Sequence, residues 1–427
     1  MPRKTSRWIQ LSGLRHLRSL QILTDGVDER FDKPLMQPQD LNPWMLDDDE
    51  MFYEDYGLQE LIELASVVEH TRYNHRPKYS PAPSAALAER VISDRVIESW
   101  CHMHRRSFDF IFSLIRDHPI FCQKEGRPQV SLKLQLAAAL ARFCGKGTTI
   151  AQFATKFKVS HGSMIKYCSR VSEALLTVER KFLRWPNAAR RVRLRNHGFS
   201  EFGFSGYIGN IDGTHFYLCQ APVFDCYPEC YYDTMHSGGY GYNVILITDH
   251  TGSIIHYMLG WPGSVHDATI QQRAALLTRN ATKAFSPGEY LFGDCGFART
   301  PTCVCPYKEP AASQPINSRF NHAMRQGRCR IEHVNAVLKS RFKSLKSVPV
   351  LICKPEDHHK ANVWIRTCLV LHNILLRLKD EWEFDDNDDE EQHVEEEERI
   401  ADDGDDVSGA EFQQMVRDNW LEYASRV

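Results

Sequence analysis

Two apolar stretches in this chain end in an aspartate, and that pattern limits the fold more than any other feature of the sequence. Tyr207-Ile208-Gly209-Asn210-Ile211-Asp212 and Glu289-Tyr290-Leu291-Phe292-Gly293-Asp294 each read as a buried strand whose last residue is a carboxylate. A carboxylate buried without a partner is costly. Such residues belong at strand ends, where a cation or a donor can reach them. Between these stretches, Asn243–Thr248 and Ser253–Leu259 read as two more strands, joined by the turn Asp249-His250-Thr251-Gly252. Helices are expected from His266-Asp267 through Leu277, from Gly327 to Leu345, and over the apolar run Val363–Leu378. Adjacent strands followed by strand–helix alternation predict an α/β domain over residues 201–379, a mixed sheet with helices packed on it.

Upstream the period is helical. Val91, Ile92, Val96, Ile97 and Trp100, then Phe108, Ile111, Phe112, Leu114 and Ile115, follow helical spacing, and a second block runs from Ser131 to Gly145. Thr149–Phe157 and His161–Val171 then read as two short helices around a tight connection, with Ser160 as the N-cap of the second. This is a helix-turn-helix pattern, and its second helix carries Lys166 and Arg170 on an outer face suited to a DNA groove. Three-helix bundles that never touch DNA share the same pattern. Arg180, Lys181, Arg184, Arg190, Arg191, Arg193 and Arg195 follow closely, a cluster suited to phosphate. Residues 85–200 thus form an expected helical region, preceded by a partly disordered extension over 1–84. Within that extension the spacing predicts a short helix at Leu58–Val68, and Pro77, Pro81 and Pro83 mark a linker.

The formal net charge of −3 hides a segregation. From Asp380 to Asp406 there are 17 acidic residues and one basic residue, Arg399. The remainder holds 51 basic against 38 acidic residues, a net of +13, which suits a polyanionic partner. Residues 380–427 are expected to form an acidic, mostly disordered tail that either competes with nucleic acid for the basic face or only keeps the chain soluble. Thirteen cysteines without a signal-like apolar stretch point to reduced thiols and an intracellular location. Cys226…Cys230 and Cys303-x-Cys305 lack a second pair at zinc spacing. No apolar run is long enough to span a membrane.

Two more acids complete a set. Asp267 follows the turn Trp261–His266 near a helix start, where the helix dipole favours an acid, and Glu332 lies on the helix Arg330–Lys339. Each acid has an ordinary structural alternative. Asp267 serves equally as a helix cap, Glu332 as a partner of Lys339 or Arg328, and Asp212 as an acceptor from Thr214 or His215. Together they form the carboxylate set that phosphodiester cleavage with hard divalent cations requires.

Ile211-Asp212-Gly213-Thr214-His215, Gly260–Asp267, Phe292-Gly293-Asp294-Cys295-Gly296-Phe297, and Arg330-Ile331-Glu332 with Leu338–Phe342 resemble, in order, the blocks of the PIF/Harbinger transposase family and its domesticated nuclease relatives. The resemblance runs from about Trp100 to about Leu378. It implies a ribonuclease H-like fold with a DDE active site: Asp212 and Asp294 as the catalytic aspartates, Glu332 as the glutamate, and Asp267 as a further metal ligand. Mg²⁺ or Mn²⁺, as a pair, is the implied cofactor. The implied reaction is hydrolytic nicking at element ends, then attack of the freed 3′-hydroxyl on target DNA. The alternative is a domesticated nuclear protein that binds DNA or a partner and cuts weakly. DNA is the expected partner, with a Myb/SANT-like protein and a second copy of the chain as further ones, and the nucleus is the expected location. Lys166, Arg170, Arg190, Arg191, Arg193, Lys339 and Arg341 are the expected DNA contacts. The chain departs from the family in Tyr231–Asn243, where a lysine is missing and Asp233 introduces an acid.

Overall fold

The computed structural model describes residues 92–122, 129–145, 150–223, 227–233, 238–381 and 407–426. The expected extension over 1–84, its helix at Leu58–Val68 and its proline linker lie outside these residues, as do Cys226 and positions 382–406.

Helices α1 (Asp94–Cys101), α2 (Arg105–Ile115), α3 (Leu132–Cys144), α4 (Ile150–Lys156), α5 (His161–Thr177) and α6 (Ala188–Phe202) open the described chain. The side chains of Ser93, Ser131, Ser160 and Asn187 each accept from the backbone amide three residues on, and so cap α1, α3, α5 and α6. Every residue from Leu134 to Cys144 of α3 is buried. A helix that is apolar all round belongs in a core. Helices α4 and α5 meet across Phe157–Ser160, with Lys158 at a positive φ of 52° and Val159 packed on the core.

Six strands follow: β1 (Tyr207–Tyr217), β2 (Tyr232–Asp233), β3 (Gly239–Thr248), β4 (Ile254–Pro262), β5 (Tyr290–Phe292) and β6 (Cys303–Val304). Their order is β2-β3-β1-β5-β6, with β4 paired to β3. β1 runs antiparallel to β3, with Asp212 opposite Leu246, and parallel to β5, with Asn210 opposite Phe292. The mixed sheet is therefore as the sequence predicts. β3 is buried on both faces: Leu246 joins one core cluster, while Ile245 and Ile247 join another with Ile208, Ile211, Ile270 and Leu291. That double burial explains the unbroken apolar run of the sequence.

Helices α7 (Asp267–Arg273), α8 (Pro315–Arg341), α9 (Pro355–Arg377) and α10 (Val407–Ala424) complete the longer described helices. α8 has 27 residues and begins well before the expected Gly327. Its first half buries Asn317, Phe320, Ala323 and Met324 between polar residues that mask the period. Among the described residues no helix is long and apolar enough to cross a membrane.

The helical region and the α/β region share a core. Phe108, Leu136, Phe143 and Val171 share one buried cluster with Phe216, Leu246, Leu338 and Leu369, and the Phe143 ring meets Trp364 edge-on at 4.5 Å. The expected tail is not disordered over 407–424. There α10 buries Val416 and Trp420 against Phe204, Tyr290, Phe292 and Phe320, and the Trp420 indole donates to the Phe202 carbonyl at 3.1 Å. Averaging with the acids of 380–406 hid the helical period of Phe412, Val416 and Trp420. Asp380, the first acid of that segment, is itself buried, accepting from Ser107 Oγ and from the His104 amide.

His372 of α9 lies at the inner edge of this core, with Nε2 3.2 Å from the Gly252 carbonyl in the β3–β4 turn. Burial pushes its pKa down to about 4, against a smaller upward pull from that carbonyl. The folded value lies below the unfolded one of about 6.5. Its contribution is therefore complete above pH 6.5 and is lost as pH falls towards 4, by about 3 kcal/mol. Denaturant unfolding between pH 4 and 7 should show this slope, and His372→Gln should flatten it.

Candidate active site

β1 and β5 run parallel, with a register shift between Tyr207 and Gly209 and Asn210 opposite Phe292, so the chain leaving β5 carries Asp294 towards Asp212. The Asp212 side chain, 13% exposed, turns towards α8. Its Oδ1 accepts from an Arg328 guanidinium nitrogen at 3.0 Å and its Oδ2 from Asn335 Nδ2 at 2.7 Å. Asp294 Oδ1 accepts from the Gly296 amide at 2.8 Å. Asp267 is the first residue of α7 but not its cap: His266 holds that position, and Asp267 Oδ1 accepts from Asn243 Nδ2 of β3 at 2.7 Å.

Two glycines make room for this arrangement. A Cβ at Gly213 would lie 2.3 Å from Asp267 Oδ2. One at Gly296 would lie 3.2 Å from Asp294 Oδ1 and 3.9 Å from Asp267 Oδ2. Asp267 and Asp294 thus approach one another across space that a side chain would fill. Glu332 stands one helical turn beyond Arg328 on α8, 3.9 Å from its guanidinium and 49% exposed.

Arg328 links these acids. Burial opposes its charge, yet attraction to Asp212, Asp294 and Glu332 outweighs burial and leaves its pKa raised. Arg328 and Asn335 are the site residues that sequence reasoning missed as such. The available signal was spacing: 328, 332 and 335 fall at i, i+4 and i+7 on one helix face.

The donor set suits Mg²⁺ or Mn²⁺, since four carboxylates supply hard oxygen and the Gly213–Gly296 cradle leaves room beside two of them. Among the described residues, however, no three acidic, histidine or cysteine side chains already surround one point. Asp212 itself is turned to Arg328 and Asn335.

Asp233, the acid that departs from the family pattern, is 1% exposed and accepts from the Tyr217 hydroxyl at 2.8 Å. It is an interior acceptor rather than a charge facing a phosphate.

The expected DNA contacts divide into two groups. Lys166 on α5 and Arg193 on α6 are exposed, and Lys339 on α8 is half-buried. Arg170 donates to Gln129 at 2.9 Å, and Arg190 pairs with the buried Asp249. Arg191 and Arg341 do not face outwards. Arg191 is buried and pairs with Glu289 at 2.6 Å, and Arg341 is buried with its guanidinium 3.6 Å from the Asp380 carboxylate. Their basic clusters are conspicuous in the sequence, whereas the acids that bind them come from distant elements.

A mixed sheet that sets two aspartates abreast, with a glutamate on a later helix, is the frame of a DDE nuclease. Residues 211–373 match the DDE superfamily endonuclease family, so the α/β region carries a domain of that kind. The human protein named "Putative nuclease HARBI1" is 27% identical over 249 residues, which cover 58% of this chain and 68% of that protein. The Arabidopsis thaliana "Protein ALP1-like" is 23% identical over 318 residues, 70% of this chain and 75% of that protein. No solved structure matches the chain significantly.

Proposed function

We propose that the chain is a divalent-metal-dependent DNA endonuclease of the transposase type. The parallel pairing of β1 and β5, which brings Asp294 towards Asp212, carries this reading. Asp212, Asp267, Asp294 and Glu332 would hold a pair of Mg²⁺ or Mn²⁺ ions. When bound, such ions lower the pKa of an attacking water and stabilise the leaving oxygen. The protein's own part is to aim the carboxylates from the middle of β1, the exit of β5, the start of α7 and the body of α8, and to place the scissile phosphate beside them. The exposed Arg180, Lys181, Arg184 and Arg193, with Lys166 on the helix-turn-helix, would track the DNA backbone. DNA ends are the substrate in this reading, and the nucleus is its place of action. A Myb/SANT-like protein and a second copy of the chain are the proposed partners.

Incubation of supercoiled plasmid and terminal-repeat duplex with Mg²⁺, Mn²⁺ or EDTA tests the reading. Nicking that requires the cation and is lost in Glu332→Gln is the expected outcome. Salt-sensitive duplex binding without nicking would instead favour a domesticated binding protein. Cleavage of small phosphodiesters but not of DNA would overturn both.

A further inference from the structure

Asp212 is not waiting for a cation: the protein supplies one. Arg328 reaches its Oδ1 at 3.0 Å, stands 3.9 Å from Glu332, and is itself only 12% exposed. The Nε of Arg328 is buried without a hydrogen-bond partner, so the guanidinium is sited by the acids around it rather than by full hydrogen bonding. Asn335 closes the second oxygen of Asp212, while its own Oδ1 is buried and unpartnered.

We infer that Arg328 is a built-in counter-cation that holds Asp212 and Glu332 together and that a divalent ion must displace to bind. This inference rests on the nuclease reading for the identity of the metal site. Without a positive charge, the acids that β1, the exit of β5 and α8 bring together repel each other and turn away, so the guanidinium keeps the site assembled. The same contact sets a threshold, because the ion gains Asp212 only by breaking an ion pair that is largely shielded from water. Apparent affinity falls by the fraction of molecules in which Asp212 is free to bind. Asn335 follows the same logic on a smaller scale: its amide nitrogen must leave Oδ2, and its unpartnered Oδ1 is an oxygen of the type that hard cations accept.

Arg328→Met, which keeps much of the side-chain bulk and removes the charge, tests this by calorimetric titration with Mn²⁺. Metal-free Arg328→Met should melt below wild type, bind Mn²⁺ about tenfold more tightly, the effect of losing one modest competing contact, and gain more in melting temperature from the ion. Equal or weaker binding by a folded variant would overturn the inference while leaving the nuclease reading intact. No Mn²⁺ binding by either protein would overturn both.

A wild-type measurement covers the case in which the variant does not fold. The Arg328 Nε–H resonance, assigned by its absence in Arg328→Lys, should move on addition of Mg²⁺ as the ion takes Asp212. An Mg²⁺-saturated protein in which that resonance stays in place would exclude displacement.

Discussion

Asp294→Asn is expected to remove metal-dependent nicking by about 10³-fold or more, as when one member of a jointly acting catalytic group is lost, while the fold stays intact. The Asp294 carboxylate bonds the Gly296 amide through Oδ1, a role that an asparagine oxygen can keep. Its stability should therefore remain within about 0.5 kcal/mol of wild type. Asp212→Asn should lose as much activity and in addition destabilise the chain by about 1–3 kcal/mol, because Arg328 loses its charged acceptor. Plasmid nicking and denaturant unfolding on the same preparations separate the two effects. An Asp294→Asn protein that nicks at the wild-type rate would remove that residue from the catalytic set.

The largest loss of stability is expected from Asp380→Ala, about 3–5 kcal/mol, the range for breaking one side of a buried ion pair. Arg341 is 4% exposed, and burial already lowers its pKa against the pull of Asp380. The same carboxylate accepts from Ser107 and from the His104 amide. Its removal would therefore strand those two donors and leave Arg341, which keeps its bond to the Asp380 backbone carbonyl, without its counter-charge where α2, α8 and the end of α9 meet. Replacing both partners, as Asp380→Ala with Arg341→Leu, should recover part of the loss, because no uncompensated charge then remains inside. Urea midpoints of the two variants provide the check. Equal destabilisation by both would show that packing, rather than charge, dominates the site.

The acids were legible because their setting is local. Asp212 and Asp294 stand at or just beyond apolar strands, and a carboxylate there is conspicuous in one dimension. The helix pair α4 and α5 was equally readable, since the Ser160 cap and the apolar period act over a few residues. What the sequence concealed depends on pairing across long separations. Arg191 looks like a phosphate ligand until Glu289 is brought to it, and Arg341 until Asp380 is. Asp233 reads as an added surface charge until Tyr217 covers it. The start of α8 and all of α10 were missed because their apolar residues lie among polar neighbours, and the surface they bury belongs to other elements. Arg328 was in view only as a neighbour of Glu332, since its bond to Asp212 joins residues 116 positions apart.

The closing helix has a temporal consequence. Phe204, Tyr290, Phe292 and Phe320 form the aromatic layer behind the strand that leads to Asp294, and Val416 and Trp420 cover it. During synthesis, Asp294 emerges from the ribosome more than a hundred residues before Trp420. The nascent chain thus carries every acid of the site while the layer that supports one of them is still uncovered. Completion of the packing behind Asp294 awaits translation of residues 407–424, so a chain released early would keep its acids and lose their backing.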